Sequence, residues 1–136
     1  MEKIRYSAGF KYQLAEDFPC QVDICPVETI ITEYIGLTNT GLLTIKKGYA
    51  WDGCSGPTWD DKSNMRAGLI HDALYQLIRE KYLSPDYRDD ADRELLRFCI
   101  KDGMMSFRAW YYYFAVRKFA GFAAAPRNQK KILTAP

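Results

Sequence analysis

The chain has a single histidine, His71, among 136 residues. One imidazole cannot build a two-histidine zinc centre, and no HEXXH occurs. A metal-centred HD-type phosphohydrolase needs several histidines and is excluded on the same ground. There is no GxSxG elbow for a nucleophilic serine and no Walker or dinucleotide glycine loop. The four cysteines, Cys20, Cys25, Cys54 and Cys99, match neither zinc-finger nor CxxC spacing. A core of this size does not need disulfides, so free, partly buried thiols in a reducing compartment are the expectation. No apolar run approaches the roughly 20 residues of a membrane span, and no charged segment leading into an apolar one opens the chain. A soluble product without a cleaved signal is therefore expected. The formal net charge of +2 is too small to argue for a specific nucleic-acid partner.

Against those absences, 48% of the residues are hydrophobic, 15% aromatic and 26% charged, which predicts a folded chain. The length suits one domain, 1–136, with a single core. The fold class is α+β. Residues 1–48 read as a β-rich part, 49–63 as a loop, 64–125 as three helices and 126–136 as an extended basic tail. In the β-rich part Pro19 and Pro26 interrupt any long element. Thr29 to Leu37 is β-branched and aromatic, Thr38-Asn39-Thr40-Gly41 is turn chemistry, and Leu42 to Lys46 alternates again, so a β-hairpin is predicted.

The helical part carries the chemistry. From Asn64 to Lys81, Ala67, Ile70, Leu74, Leu77 and Ile78 recur at helical spacing. His71 and Tyr75 fall together at one edge of that stripe, and Asp72 is turned about a quarter-turn away. Asp61 or Ser63 is placed to cap this helix. Tyr82 to Asp86 is a short connector in which Ser84 or Asp86 can start the next helix. That helix, about Arg88 to Lys101, buries Ala91, Leu95, Leu96, Phe98 and Cys99, with Asp92 inside the apolar face. A short connection favours antiparallel neighbours, which brings Asp92 back to the level of His71. Asp102-Gly103 is a stop signal. The third helix, about Ser106 to Gly121, holds Trp110-Tyr111-Tyr112-Tyr113-Phe114 and is apolar nearly all round. Its second face must meet a subunit, a larger assembly or lipid, and a homo-oligomer through Trp110–Phe114 is one expectation.

An imidazole held by a carboxylate has a set tautomer, and its other nitrogen can take a proton from water. Asp92 is placed to be that carboxylate and Tyr75 to hydrogen-bond it. Asp72 can help hold a hard cation, with carbonyls from the glycine-bearing loop Gly48 to Lys62. Such a cation would polarise an ester carbonyl for attack by the water. The same residues also support a plainer role, in which a buried His-Asp-Tyr cluster locks two helices in register. The loop likewise either folds over the core through Trp51 and Trp59 or serves a ligand.

The stretch His71-Asp72-x-x-Tyr75, followed by Ala91-Asp92-x-x-Leu95-Leu96, resembles the catalytic helices of phospholipase A2, closest to the version in parvovirus capsid proteins. The resemblance implies His71 as general base, Asp92 as its orienting partner, Tyr75 in the hydrogen-bond network and Asp72 as a calcium carboxylate. It also implies calcium-loop carbonyls at Trp51, Gly53 and Ser55, and phospholipid or a similar envelope ester as substrate. The chain departs from that family in lacking the cysteines that staple the secreted enzymes before the histidine, and in having serine where the loop prefers glycine.

A second resemblance spans roughly Thr29 to Ala125. The loop Gly48-Tyr49-Ala50-Trp51-Asp52-Gly53-Cys54-Ser55-Gly56-Pro57, the HDxxY helix, the AD helix and an aromatic third helix are similar to a family of small bacteriophage and prophage proteins without assigned function. It implies synthesis in a bacterial host cytoplasm and a phage setting, with virion or phage-assembly proteins as partners if the role is structural. It supplies no activity.

Overall fold

The computed structural model describes residues 6–7, 12–51 and 63–123, with backbone alone for 6–7 and 119–123. The fold is α+β, an N-terminal region of antiparallel strands followed by three helices. It divides between Asp52 and Gly53 into two compact units, one of strands and one of helices.

The strand unit holds two sheets. In the first, β1 (Tyr6–Ser7) pairs with β2 (Tyr12–Leu14), which pairs with β7 (Ala50–Trp51). In the second, β3 (Phe18–Gln21), β6 (Leu42–Ile45), β5 (Ile35–Leu37) and β4 (Ile30–Ile31) lie side by side in that order, all antiparallel. Side chains alternate along a strand, so register sorts them by face. Phe18, Ile45 and Ile35 form one row and Cys20, Leu43, Leu37 and Ile30 the next. All seven are buried, and they make the apolar face of this sheet.

The predicted hairpin is present between β5 and β6, but the run from Thr29 is not one strand. Thr32 breaks it: its Oγ1 accepts from the Ile35 N–H at 3.0 Å, closing a turn that folds β4 back onto β5. Pro19 does not interrupt β3. It lies on an edge strand, where a residue without an N–H is tolerated. The segment predicted to be loop from 49 onward begins as strand β7, because Tyr12 and Gln13 pair with Trp51 and Ala50. A two-residue strand has no period to read, and its partner lies far back in the chain.

The predicted turn at 38–41 closes through the Gly41 N–H, which donates to Thr38 O at 3.0 Å. Gly41 has φ +89°, and a Cβ there would stand 2.5 Å from the carbonyl oxygen of Val22. Backbone cannot swing aside as a side chain can. Gly41→Ala should therefore cost about 2 kcal/mol or more of unfolding free energy. Urea titration checks this, and an unchanged midpoint would show that the turn relaxes.

In the helical unit, α1 spans Met65–Arg79, α2 Arg88–Lys101 and α3 Ser106–Ala123, with a 3-10 turn at Pro85–Tyr87 between the first two. The helix starts differ from expectation. Asn64, rather than Ser63, is the N-cap of α1, and its side chain makes no cap hydrogen bond, while Asp61 lies outside the described residues. Ser84 caps the 3-10 turn instead of α2, its Oγ accepting from the Asp86 N–H.

Both ends of the helical pair are closed by Schellman motifs. After α2, Gly103 and Met104 donate to the carbonyls of Ile100 and Cys99, with Gly103 at φ +100° as the stop signal predicts. After α1, Lys81 and Tyr82 donate to Ile78 and Leu77, and Lys81 takes φ +66°. No glycine marks that second stop. The helices run antiparallel. Arg66 at the start of α1 meets Asp102 just past α2 through two hydrogen bonds, 2.6 and 3.1 Å, while Tyr75 in the later half of α1 meets Asp92 early in α2. Cys20, Cys25 and Cys99 are free thiols.

Candidate active site

His71 and Tyr75 stand one helical turn apart on α1, with their rings 4.2 Å between centroids. Asp92 projects from the buried side of α2, between Ala91 and Leu95 in the apolar pattern. A short connector and two helix stops bring the three together. His71 Nε2 lies 2.6 Å from Asp92 Oδ1, and the Tyr75 hydroxyl donates to the same oxygen at 2.6 Å. His71 is 3% exposed and Asp92 0%.

A carboxylate accepts but does not donate, so the shared proton belongs on Nε2. The neutral ring then has Nδ1 as its basic nitrogen. Tautomer and ring orientation are thereby set by one residue on a neighbouring helix.

The other oxygen of Asp92 has a partner that the spacing of the sequence does not announce. Arg117 of α3 donates from Nη1 to Oδ2 at 3.0 Å. Arg117 also lies 3.6 Å from Asp89, one turn before Asp92 on α2. Asp89 in turn accepts from the Tyr113 hydroxyl at 2.5 Å and from Arg93 at 3.0 Å. The charge of Asp92 is thus balanced from α3 while its geometry is tied to α1. In the sequence Arg117 is one of three cations on α3, with Arg108 and Lys118, and nothing in their spacing marks it out.

The titration shifts have separate causes. Burial, reinforced by the negative charge of Asp92, holds the Tyr75 hydroxyl protonated far above the usual tyrosine range. At the partly exposed end of the network, the hydrogen bond from Tyr113 holds the Asp89 carboxyl below the usual carboxylate range. The signs are opposite. A raised tyrosine contributes stability that is complete below the ordinary value of about 10 and declines above it, because the unfolded chain ionises first. A depressed aspartate contributes stability present above about 4 and lost as pH falls through its folded value. Above pH 10 the wild type should therefore lose stability faster than Tyr75→Phe. Denaturant titrations across that limit test this, and parallel curves would mean that Tyr75 ionises freely in the fold.

Of the residues assigned to calcium, Asp72 lies on α1, half-buried beside Gln76 and turned from His71. Trp51 lies in β7 of the strand unit. Gly53 and Ser55 lie outside the described residues. Among the described residues no group of three or more histidine, cysteine or acidic side chains is placed to hold a metal. A calcium shell of one carboxylate and backbone carbonyls has a different donor set.

The class these features define is an α+β protein whose helical unit encloses a buried His-Asp-Tyr cluster, met by the half-buried Arg117. In comparisons with protein-family models, curated proteins and solved structures, nothing matched the chain.

Proposed function

We propose that the protein is a phage-type, phospholipase A2-like ester hydrolase in which His71 activates water. The observation that carries this reading is the 2.6 Å contact between His71 Nε2 and Asp92 Oδ1 across two antiparallel helices, with Tyr75 on the same oxygen. Water hydrogen-bonded to Nδ1 loses its proton to the ring as its oxygen bonds to the ester carbonyl carbon. The imidazolium so formed is stabilised by Asp92. When the tetrahedral species collapses, the carbon–oxygen bond to the alcohol breaks and Nδ1 returns the proton to the departing alkoxide. Asp72 would offer a carboxylate to calcium, which would supply positive charge for the carbonyl oxygen. The setting is a phage infection and the substrate a lipid or similar ester of the cell envelope.

The test is release of fatty acid from phospholipid vesicles by the purified chain with calcium and with chelator. In parallel, calcium should raise the melting temperature more than magnesium does, and Asp72→Ala should erase that difference. If the wild type releases nothing under any metal, the hydrolase reading fails. Melting that ignores calcium removes only the metal from it.

A second reading is favoured by the burial of His71 and by the closure of the network through Arg117. In it the protein is a non-catalytic phage structural or accessory component of a virion or tail, and the cluster locks the helices together. Co-purification with particles, without hydrolysis, is its expected result.

A further inference from the structure

Helix α3 has two apolar faces, and its contacts in the helical unit use one of them. At about 100° per residue, Ala109, Tyr112, Tyr113 and Val116 share one side, and all four are buried. Directly opposite, Phe107, Trp110, Tyr111 and Phe114 stand 71%, 41%, 57% and 63% exposed. Trp110 and Phe114 lie 5.8 Å apart between ring centroids, so these are neighbouring rings of one patch rather than scattered side chains.

The charge of the chain changes sign at the same place. No aspartate or glutamate follows Asp102, whereas Arg108, Arg117, Lys118, Arg127, Lys130 and Lys131 do. The net +2 therefore divides into −4 over residues 1–102 and +6 over 103–136. Lys118 falls at the end of the exposed stripe, one turn beyond Phe114.

We propose that the exposed aromatic face of α3 seats the protein on an anionic lipid surface, with the helix lying along the headgroup layer. Tryptophan and tyrosine favour that layer, phenylalanine reaches just below it, and cations at the edges meet lipid phosphates. None of the described helices is long and apolar enough to cross a membrane, so the face rests on the lipid. A second copy of the chain fits less well, because pairing like faces would set segments of the same charge against each other. A nucleic-acid strand would need cations along the stripe to follow its phosphates, and from Phe107 to Phe114 the stripe itself has none. This inference deepens the hydrolase reading by naming the surface that presents the ester, yet it stands without hydrolysis.

The experiment is co-sedimentation of the full chain with vesicles of phosphatidylcholine alone and of phosphatidylcholine mixed with phosphatidylglycerol. Binding should require phosphatidylglycerol and weaken with added salt. The double variant Trp110→Ala, Phe114→Ala should bind about tenfold to hundredfold more weakly, with Phe107→Glu as an independent single substitution should the double variant melt early. His71→Gln should bind as the wild type does, which separates adsorption from chemistry. Four results would overturn the proposal: no vesicle binding, wild-type binding by the Trp110, Phe114 and Phe107 variants, displacement by an oligonucleotide, or self-association that the same substitutions abolish.

Discussion

Asp92→Ala should lower the unfolding free energy by about 3–5 kcal/mol, a large share of the roughly 5–15 kcal/mol typical of a folded domain. The reason is what the substitution leaves behind. Asp92 is fully buried and is contacted by His71 and Tyr75 through one oxygen and by Arg117 through the other. Alanine strands the tyrosine hydroxyl and the ring N–H beneath apolar neighbours, and it removes the charge opposite Arg117. An unsatisfied buried donor costs about 1–3 kcal/mol, and here two appear together. Asp92→Asn should cost less, because the amide oxygen still accepts one hydrogen bond. Thermal and urea unfolding measure both. Loss below about 1 kcal/mol for alanine would mean that the three helices are held by apolar packing alone.

His71→Gln should reduce ester hydrolysis by about a hundredfold to ten-thousandfold, the range for loss of a general base. Glutamine can still donate an N–H to Asp92, so the stability change should stay near 1 kcal/mol. That contrast separates the two functional readings. A structural lock predicts that every substitution in the cluster acts through stability. A catalytic dyad predicts one variant that folds and does not hydrolyse. Asp92→Asn sharpens the comparison, since its amide can donate to Nε2 and drive the ring proton onto Nδ1, the nitrogen that must be basic. Fatty-acid release by folded variants at matched concentration is the measurement. Equal rates for wild type and His71→Gln would remove His71 from the chemistry.

How much of this was legible beforehand differs from element to element. Helix α2 was read at both ends, because its apolar spacing is regular and Gly103 stops it. The His71–Asp92 contact was legible too. A lone imidazole at the edge of one stripe and a carboxylate inside the next must meet if the connector is short. Arg117 was not, since an arginine on a greasy helix says nothing about which carboxylate it will find. Strand β7 was hidden for a related reason, its pairing being with residues some forty positions earlier.

Local spacing, turn residues and helix stops determined by themselves the strand-then-helix order, the number of helices and the three residues that meet around one carboxylate oxygen. The elements depend on interactions between near neighbours, which the order of residues states directly. The short connector between α1 and α2 then returns Asp92 to His71 and Tyr75. Only the tertiary structure decided that Asp92 is neutralised from α3, that Thr32 splits a strand and which aromatic face of α3 is left exposed. Each of these depends on which distant groups compete for the same hydrogen bond or the same buried surface, and that competition is settled only when the chain is folded.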